Sequence, residues 1–178
     1  PTGRAILRQA AERIIPVVVE LGGKSAGVVY ADADLDAVAD DVMSGAFSNA
    51  GQICSVLSRL VVHAQVHDDL LERVIRRTEG LSVGPGISDC DVTPLISAIQ
   101  LDKVENFCLR AEEEKAVRAT GGRRLPDLAG HFFPPTVYTA VTPDMEIAQE
   151  EIFGPVLSVM RFETPEEAVA LANGTDFG

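Results

Sequence analysis

Pro16-Val17-Val18-Val19-Glu20-Leu21-Gly22-Gly23-Lys24-Ser25-Ala26-Gly27-Val28-Val29-Tyr30 is the stretch on which the fold turns. A continuous β-branched run predicts a short strand buried on both faces, as in a parallel sheet. Gly22-Gly23 turns the chain, and Gly27 to Tyr30 reads as a second short strand. Behind it Asp34 reads as an N-cap, with Leu35, Val38, Val42, Ala46 and Phe47 on one helical face. Upstream, residues 3–14 read as the end of a helix, with Ile6, Leu7, Ala10, Ala11 and Ile14 on one stripe. Pro16 stops that helix.

The alternation continues downstream. Asn49-Ala50-Gly51 is a loop signal, Leu60 to His63 a strand, and Asp68 to Arg77 a helix with Leu70, Leu71, Val74 and Ile75 inward. Ser97 and Gln100 read as a capping box for a helix through about Glu114. Val117 to Thr120, Thr136 to Tyr138 and Val156 to Phe162 read as strands. Thr164-Pro165-Glu166-Glu167 starts a last helix, which Asn173-Gly174 ends. Alternating strands and helices predict an α/β fold with a mostly parallel open sheet and helices on both faces. Ligands of such sheets bind at the carboxyl ends of strands, which is where Glu20 falls.

The chain has 178 residues, of which 46% are apolar, enough for a packed core and unlike disordered, collagenous or coiled-coil chains. Fifteen basic against 27 acidic residues give a net charge of −12. That charge repels phosphate backbones and anionic membranes, so neither nucleic acid nor a membrane is expected as a partner. The longest apolar runs, such as Ile14 to Val19, are far shorter than a membrane span of about 20 residues. Cys54, Cys90 and Cys108 are an odd number at wide spacings, and no signal-peptide pattern opens the chain. Both observations point to a reducing, cytoplasmic setting.

Cys54 follows Gly51-Gln52-Ile53 in a loop between a helix and a strand, where glycine permits close approach of a ligand. A thiolate there is a candidate nucleophile. Cys108, on the apolar stripe of a helix, and Cys90, in a polar stretch, read as structural. Glu20, directly after three valines, is expected to be partly desolvated, which would raise its pKa toward that of a general base. A thiol and a carboxylate without a partnered histidine suit acyl chemistry through a thioester. His63 and His67 straddle a strand–helix break, and no H-E-x-x-H or C-x-x-C occurs, so no metal site is expected. Gly22-Gly23-Lys24-Ser25 lacks the first glycine of a P-loop, because position 18 is Val. Glu150-Glu151 precedes Ile152-Phe153-Gly154-Pro155, which is not a surface composition.

Three motifs in this order resemble the NAD(P)-dependent aldehyde dehydrogenase superfamily: Glu20-Leu21-Gly22-Gly23-Lys24-Ser25, Gly51-Gln52-Ile53-Cys54 and Glu150-Glu151-Ile152-Phe153-Gly154-Pro155. Lesser matches are Pro94-Leu95-Ile96-Ser97, Thr120-Gly121-Gly122, Pro135-Thr136-Val137 and Ala172-Asn173. The resemblance implies oxidation of an aldehyde to a carboxylic acid with NAD or NADP. Cys54 would form a thiohemiacetal and then a thioester, and Glu20 would activate the hydrolytic water. The Cys54 backbone N–H would donate to the oxyanion. Glu151, Phe153, Leu21 and Gly22 would border the nicotinamide and its ribose. Members that transfer the acyl group to CoA generally lack the carboxylate at the Glu20 position, so a hydrolytic enzyme is implied.

The resemblance also implies boundaries. Residues 1–21 match the tail of a Rossmann-like cofactor domain, and residues 22–178 an incomplete catalytic domain. The full-length enzyme would be a homo-oligomer, dimer or tetramer, and this chain would leave exposed the apolar surface meant for missing strands. Val56 and Leu57 are bulkier than the small residues many members carry after the nucleophile, and would narrow the substrate tunnel. Cys54-Ser55 with Ser58-Arg59-Leu60 looks like the betaine- and amino-aldehyde branch. Two alternatives stand beside this reading: an inactive fragment or assembly module, and a parent specific for betaine, amino- or semialdehydes.

Overall fold

A computed structural model describes residues 2–177. Its elements are α1 (Thr2–Arg13), β1 (Ser25–Val29), α2 (Leu35–Phe47), β2 (Leu57–His63), α3 (His67–Glu79), α4 (Ala98–Glu113), β3 (Val117–Thr120), β4 (Thr136–Thr139), α5 (Glu146–Gln149), β5 (Val156–Phe162) and α6 (Pro165–Asn173). The strands form one sheet in the order β1-β2-β5-β4-β3. Neighbours run parallel except β3, which is antiparallel to β4 at one edge.

Register shows what covers each face. Arg59, Ser158 and Tyr138 lie side by side across β2, β5 and β4. Their side chains reach, in turn, the carbonyls of Leu171 and Ala172 in α6, Ile147 in α5 and Cys108 in α4. Those three helices therefore share one face. On the other, Gly27 of β1 and Gly45 of α2 both pack against Leu57, which places α2, with α3 against it, on the opposite side. With both faces covered, successive residues of β2 and β5 are buried (Leu60, Val61 and Val62; Val156 to Met160), the mark of a central parallel strand.

Local signals account for the helix starts. Asp34 accepts hydrogen bonds from the backbone N–H groups of Asp36 and Ala37. Thr164 and Glu167 make a complete capping box with Pro165 at the first helical position. Ser97 caps α4 through Gln100 N, but the reciprocal half of the expected box is missing, because the Gln100 amide is bonded elsewhere.

The segment ahead of β1 departs from expectation. Residues 15–24 form no strand, and Val18 is 92% exposed. A β-branched run becomes a strand only where a neighbouring strand offers a ladder. β1 has β2 as its one partner, so no such ladder reaches Val17 to Val19. Glu20 is consequently exposed, and the desolvation expected of it is absent. Ile6, Leu7, Ile14, Ile15 and Leu21 expose further apolar surface on the same arm.

Candidate active site

Three loops converge at the amino ends of the parallel strands β1, β2 and β5, not at the carboxyl ends where the alternation of strands and helices placed a ligand site. The chain leaves α2 at Ser48 and takes Asn49 (φ 51°), Ala50 (φ 54°) and Gly51 (φ 69°) through left-handed backbone. At Gly51 a side chain would collide with the Gly154 carbonyl, so glycine is required for both conformation and space. A turn closed by Val56 N on Ile53 O then presents Cys54 and Ser55 to solvent. Cys54 is exposed and reduced, Cys108 is buried, and none of the three cysteines is in a disulfide. Burial pushes the Cys108 thiol up to about 12, which suits a structural residue.

Gly22 and Gly23 meet this loop from the other side. A Cβ at Gly23 would collide with the Cys54 carbonyl oxygen, and one at Gly22 would stand in the place of the Glu151 carboxylate. Gly23 N donates to Glu151 Oε1 at 3.2 Å. The backbone around Gly23 thus joins the Cys54 loop to the Glu151 segment, two parts of the chain nearly a hundred residues apart.

The Glu151 segment is held from α4. Lys103 Nζ donates to Glu151 O at 3.0 Å, and Gln100 Nε2 donates to Ile152 O at 2.9 Å and Phe153 O at 2.8 Å. Three successive carbonyls thus accept from two side chains one turn apart. Phe153 is itself left-handed (φ 58°) and half-buried, while Ile152, Gly154 and Pro155 are buried. The run after Glu150-Glu151 is therefore interior, as its composition suggested.

Beneath the junction lie two cations. Arg59, 3% exposed, donates to Lys24 O at 2.9 Å and to Leu171 O and Ala172 O at 2.7 Å each, tying the last turn of α6 to the Gly22–Lys24 edge. Lys24 is 1% exposed, and its Nζ has no hydrogen-bond partner among the described residues. Burial pushes the Lys24 ammonium down to about 7, Arg59 adds to the fall, and Glu150 and Glu151 oppose it.

The fold thus brings Cys54, Gly22 and Glu151 together, with Phe153 two residues further on. Leu21 is exposed, with its side chain against Gly3 of α1. Glu20 has no hydrogen bond or ion pair with another described residue, and reaches the junction only through the three-residue link to Gly23. Leu57 does not crowd Cys54: its side chain is spent between Gly27 and Gly45. Sequence reasoning missed Arg59, Gln100 and Lys103 as tethers and Lys24 as a buried base. For Lys24 the one available signal was a lysine between a double glycine and a strand start.

The chain matches the model of the aldehyde dehydrogenase family over residues 1–178. It is 43% identical over 179 residues to a peroxisomal aminoaldehyde dehydrogenase of Pisum sativum, covering 99% of this chain and 36% of the relative. It is 40% identical over 183 residues to a betaine aldehyde dehydrogenase of Brucella anthropi, covering 100% of this chain and 37% of that one. An NAD-dependent aldehyde dehydrogenase from Sinorhizobium meliloti superposes with a TM-score of 0.95 at 42% identity, covering 99% of this chain and 35% of that protein. A betaine aldehyde dehydrogenase from Staphylococcus aureus, solved with NAD+, superposes with a TM-score of 0.92 at 38% identity, covering 99% and 36%. The chain spans little more than a third of the length of these relatives.

Proposed function

Because this chain belongs to the aldehyde dehydrogenase family, we propose that the whole protein oxidises an aldehyde to a free carboxylic acid with NAD+ or NADP+. The observation that carries this reading is the junction at Gly23. One backbone position packs on the Cys54 carbonyl and donates to the Glu151 carboxylate, so nucleophile and cofactor-side residues share one small space.

The Cys54 thiolate attacks the aldehyde carbon, forming a C–S bond, and the carbonyl electron pair becomes an oxyanion beside the Cys54 N–H. The nicotinamide cofactor, when bound, accepts the hydride that this carbon gives up. A thioester is left on Cys54. Water deprotonated by Glu20 attacks the thioester carbon, the C–S bond breaks, and the thiolate returns. Glu20 is at most about 11 Å of extended chain from Gly23, and its exposure gives water free access to it.

The residues present fit the cofactor. Among the described residues only Oε1 of Glu151 is engaged, which leaves Oε2 to accept from a ribose hydroxyl, and the carboxylate lies across Gly22 where a Cβ would collide with it. Gly22, Leu21 and Phe153 complete the border. We assign residues 1–21 to the tail of the cofactor domain and residues 22–178 to the catalytic domain.

The substrate class supported best is an aldehyde carrying an amino or trimethylammonio group, as in the names of the pea and Brucella relatives. Homo-oligomerisation of the whole protein and a reducing compartment such as the cytoplasm complete the reading. The free cysteines agree with that compartment.

The test is nicotinamide reduction by the whole protein across amino-, trimethylammonio-, aliphatic, aromatic and semialdehydes, with the acid product identified. Cys54→Ala is expected to lower kcat at least about 10³-fold. An unchanged rate in that variant would end the assignment, and an acyl-CoA product would remove Glu20 from it.

A further inference from the structure

A helix ordinarily exits through a single left-handed residue, usually glycine. The exit from α2 uses three in succession, and Asn49 and Ala50 carry side chains that disfavour this backbone. Ala50 is fully buried, so it has no room to relax. Backbone held in such a region persists only where its surroundings over-determine it.

The over-determination comes from Gln52. Gln52 N donates to Asn49 O at 3.1 Å, Gln52 Nε2 donates to the same carbonyl at 3.1 Å, and Asn49 Nδ2 returns a bond to Gln52 O at 3.1 Å. The other end of the Gln52 amide, Oε1, accepts from Ile96 N at 2.9 Å. Both ends of one side chain are used, one to close the left-handed run and one to fasten it to the loop before α4. That is also the helix whose Gln100 and Lys103 hold the Glu151 segment.

We propose that Gln52 is a positioning residue for Cys54: it locks the left-handed run through Asn49 and fixes its height through Ile96, so that the Cys54 carbonyl seats on Gly23 with the thiol open. This rests on the reading of Cys54 as the nucleophile. Gln52 touches no reacting atom. Its effect is on the population of loop conformations that place the thiol.

The test uses the whole protein with Gln52→Met, which keeps the shape and loses both amide functions, and Gln52→Glu, which keeps the acceptor for Ile96 N and loses the donor to Asn49 O. Three rates are followed: aldehyde oxidation, cofactor-free hydrolysis of a p-nitrophenyl ester, and alkylation of Cys54 by iodoacetamide. Gln52→Met is expected to lower all three at least tenfold with the cofactor KM within about twofold, and Gln52→Glu to fall between it and the parent. Adding Ala50→Gly, which makes the left-handed backbone easier, is expected to restore part of the loss. Unchanged ester hydrolysis and alkylation in Gln52→Met would overturn the proposal, as would a defect confined to the cofactor KM. If Gln52→Met fails to fold, Gln52→Glu decides alone: parent-like rates overturn the proposal, and a parallel fall in all three supports it. Cys54→Ala run alongside separates the two readings, because activity retained there removes the nucleophile itself, not its positioning.

Discussion

Of the two motif glutamates, Glu151 lies in the junction, whereas Glu20 is joined to it only along the chain through Leu21 and Gly22. Glu151 is half-buried and accepts from Gly23 N, and its own carbonyl and the next two are held from α4. Glu20 is exposed on an arm that no strand pairs with, and makes no bond to a described residue. The pair shows that a motif's residues acquire their environment from what packs on them. Glu151 receives a fixed place because α4 and the glycine pair both reach it. Glu20 sits two residues from that same glycine pair, and no described residue bonds to it.

The most demanding test of the contrast is Glu20→Gln in the whole protein. If Glu20 activates water, steady-state kcat is expected to fall about 10²- to 10⁴-fold while the burst of thioester formation on Cys54 survives. A lost burst would mean that the exposed glutamate does something other than serve hydrolysis. Lys24 tests the junction from beneath. Its ammonium is depressed in the folded state, so the unfolded chain binds more protons between pH 7 and pH 10.5, and stability rises with pH across that window. Below pH 7 the cost of the buried charge is present in full. Lys24→Met is therefore expected to stabilise most near neutral pH, its advantage shrinking by about 1 kcal/mol per pH unit toward pH 10. Denaturant titrations at several pH values measure this, and a constant difference would place Lys24 in water. The smallest effect is expected of Glu151→Gln. The amide oxygen still accepts from Gly23 N, so the thermal midpoint should hold while the cofactor KM rises roughly tenfold. A lowered midpoint with an unchanged KM would make Glu151 a structural tether only.

Legibility followed the range of the interaction. The caps at Asp34 and Thr164, the stripes of α2 and α3 and the runs of β2 and β5 are local patterns, and all stand where their residues indicated. The short α5 went unseen because four residues carry no period. The Ser97 box was half wrong because the Gln100 amide finds the carbonyls of Ile152 and Phe153, more than fifty residues away, in place of its own helix start. Val17 to Val19 read as a strand because β-branched residues suit one, but a ladder needs a second strand and none lies beside them among the described residues.

The residue types alone determined the alternation of strands and helices, the mostly parallel sheet, and the family, since its motifs are short, ordered and chemically specific. They also made Cys54 the candidate nucleophile among three cysteines, through the glycine and turn residues around it. Only the tertiary structure decided that Gly23 would be the shared contact of Cys54 and Glu151, that Lys24 would be buried with no hydrogen-bond partner among the described residues, and that Gln52 would hold three left-handed residues in line. Those facts depend on which distant backbone groups arrive at one point. Hydrogen bonds and steric exclusion act over a few ångströms, whatever the separation along the chain.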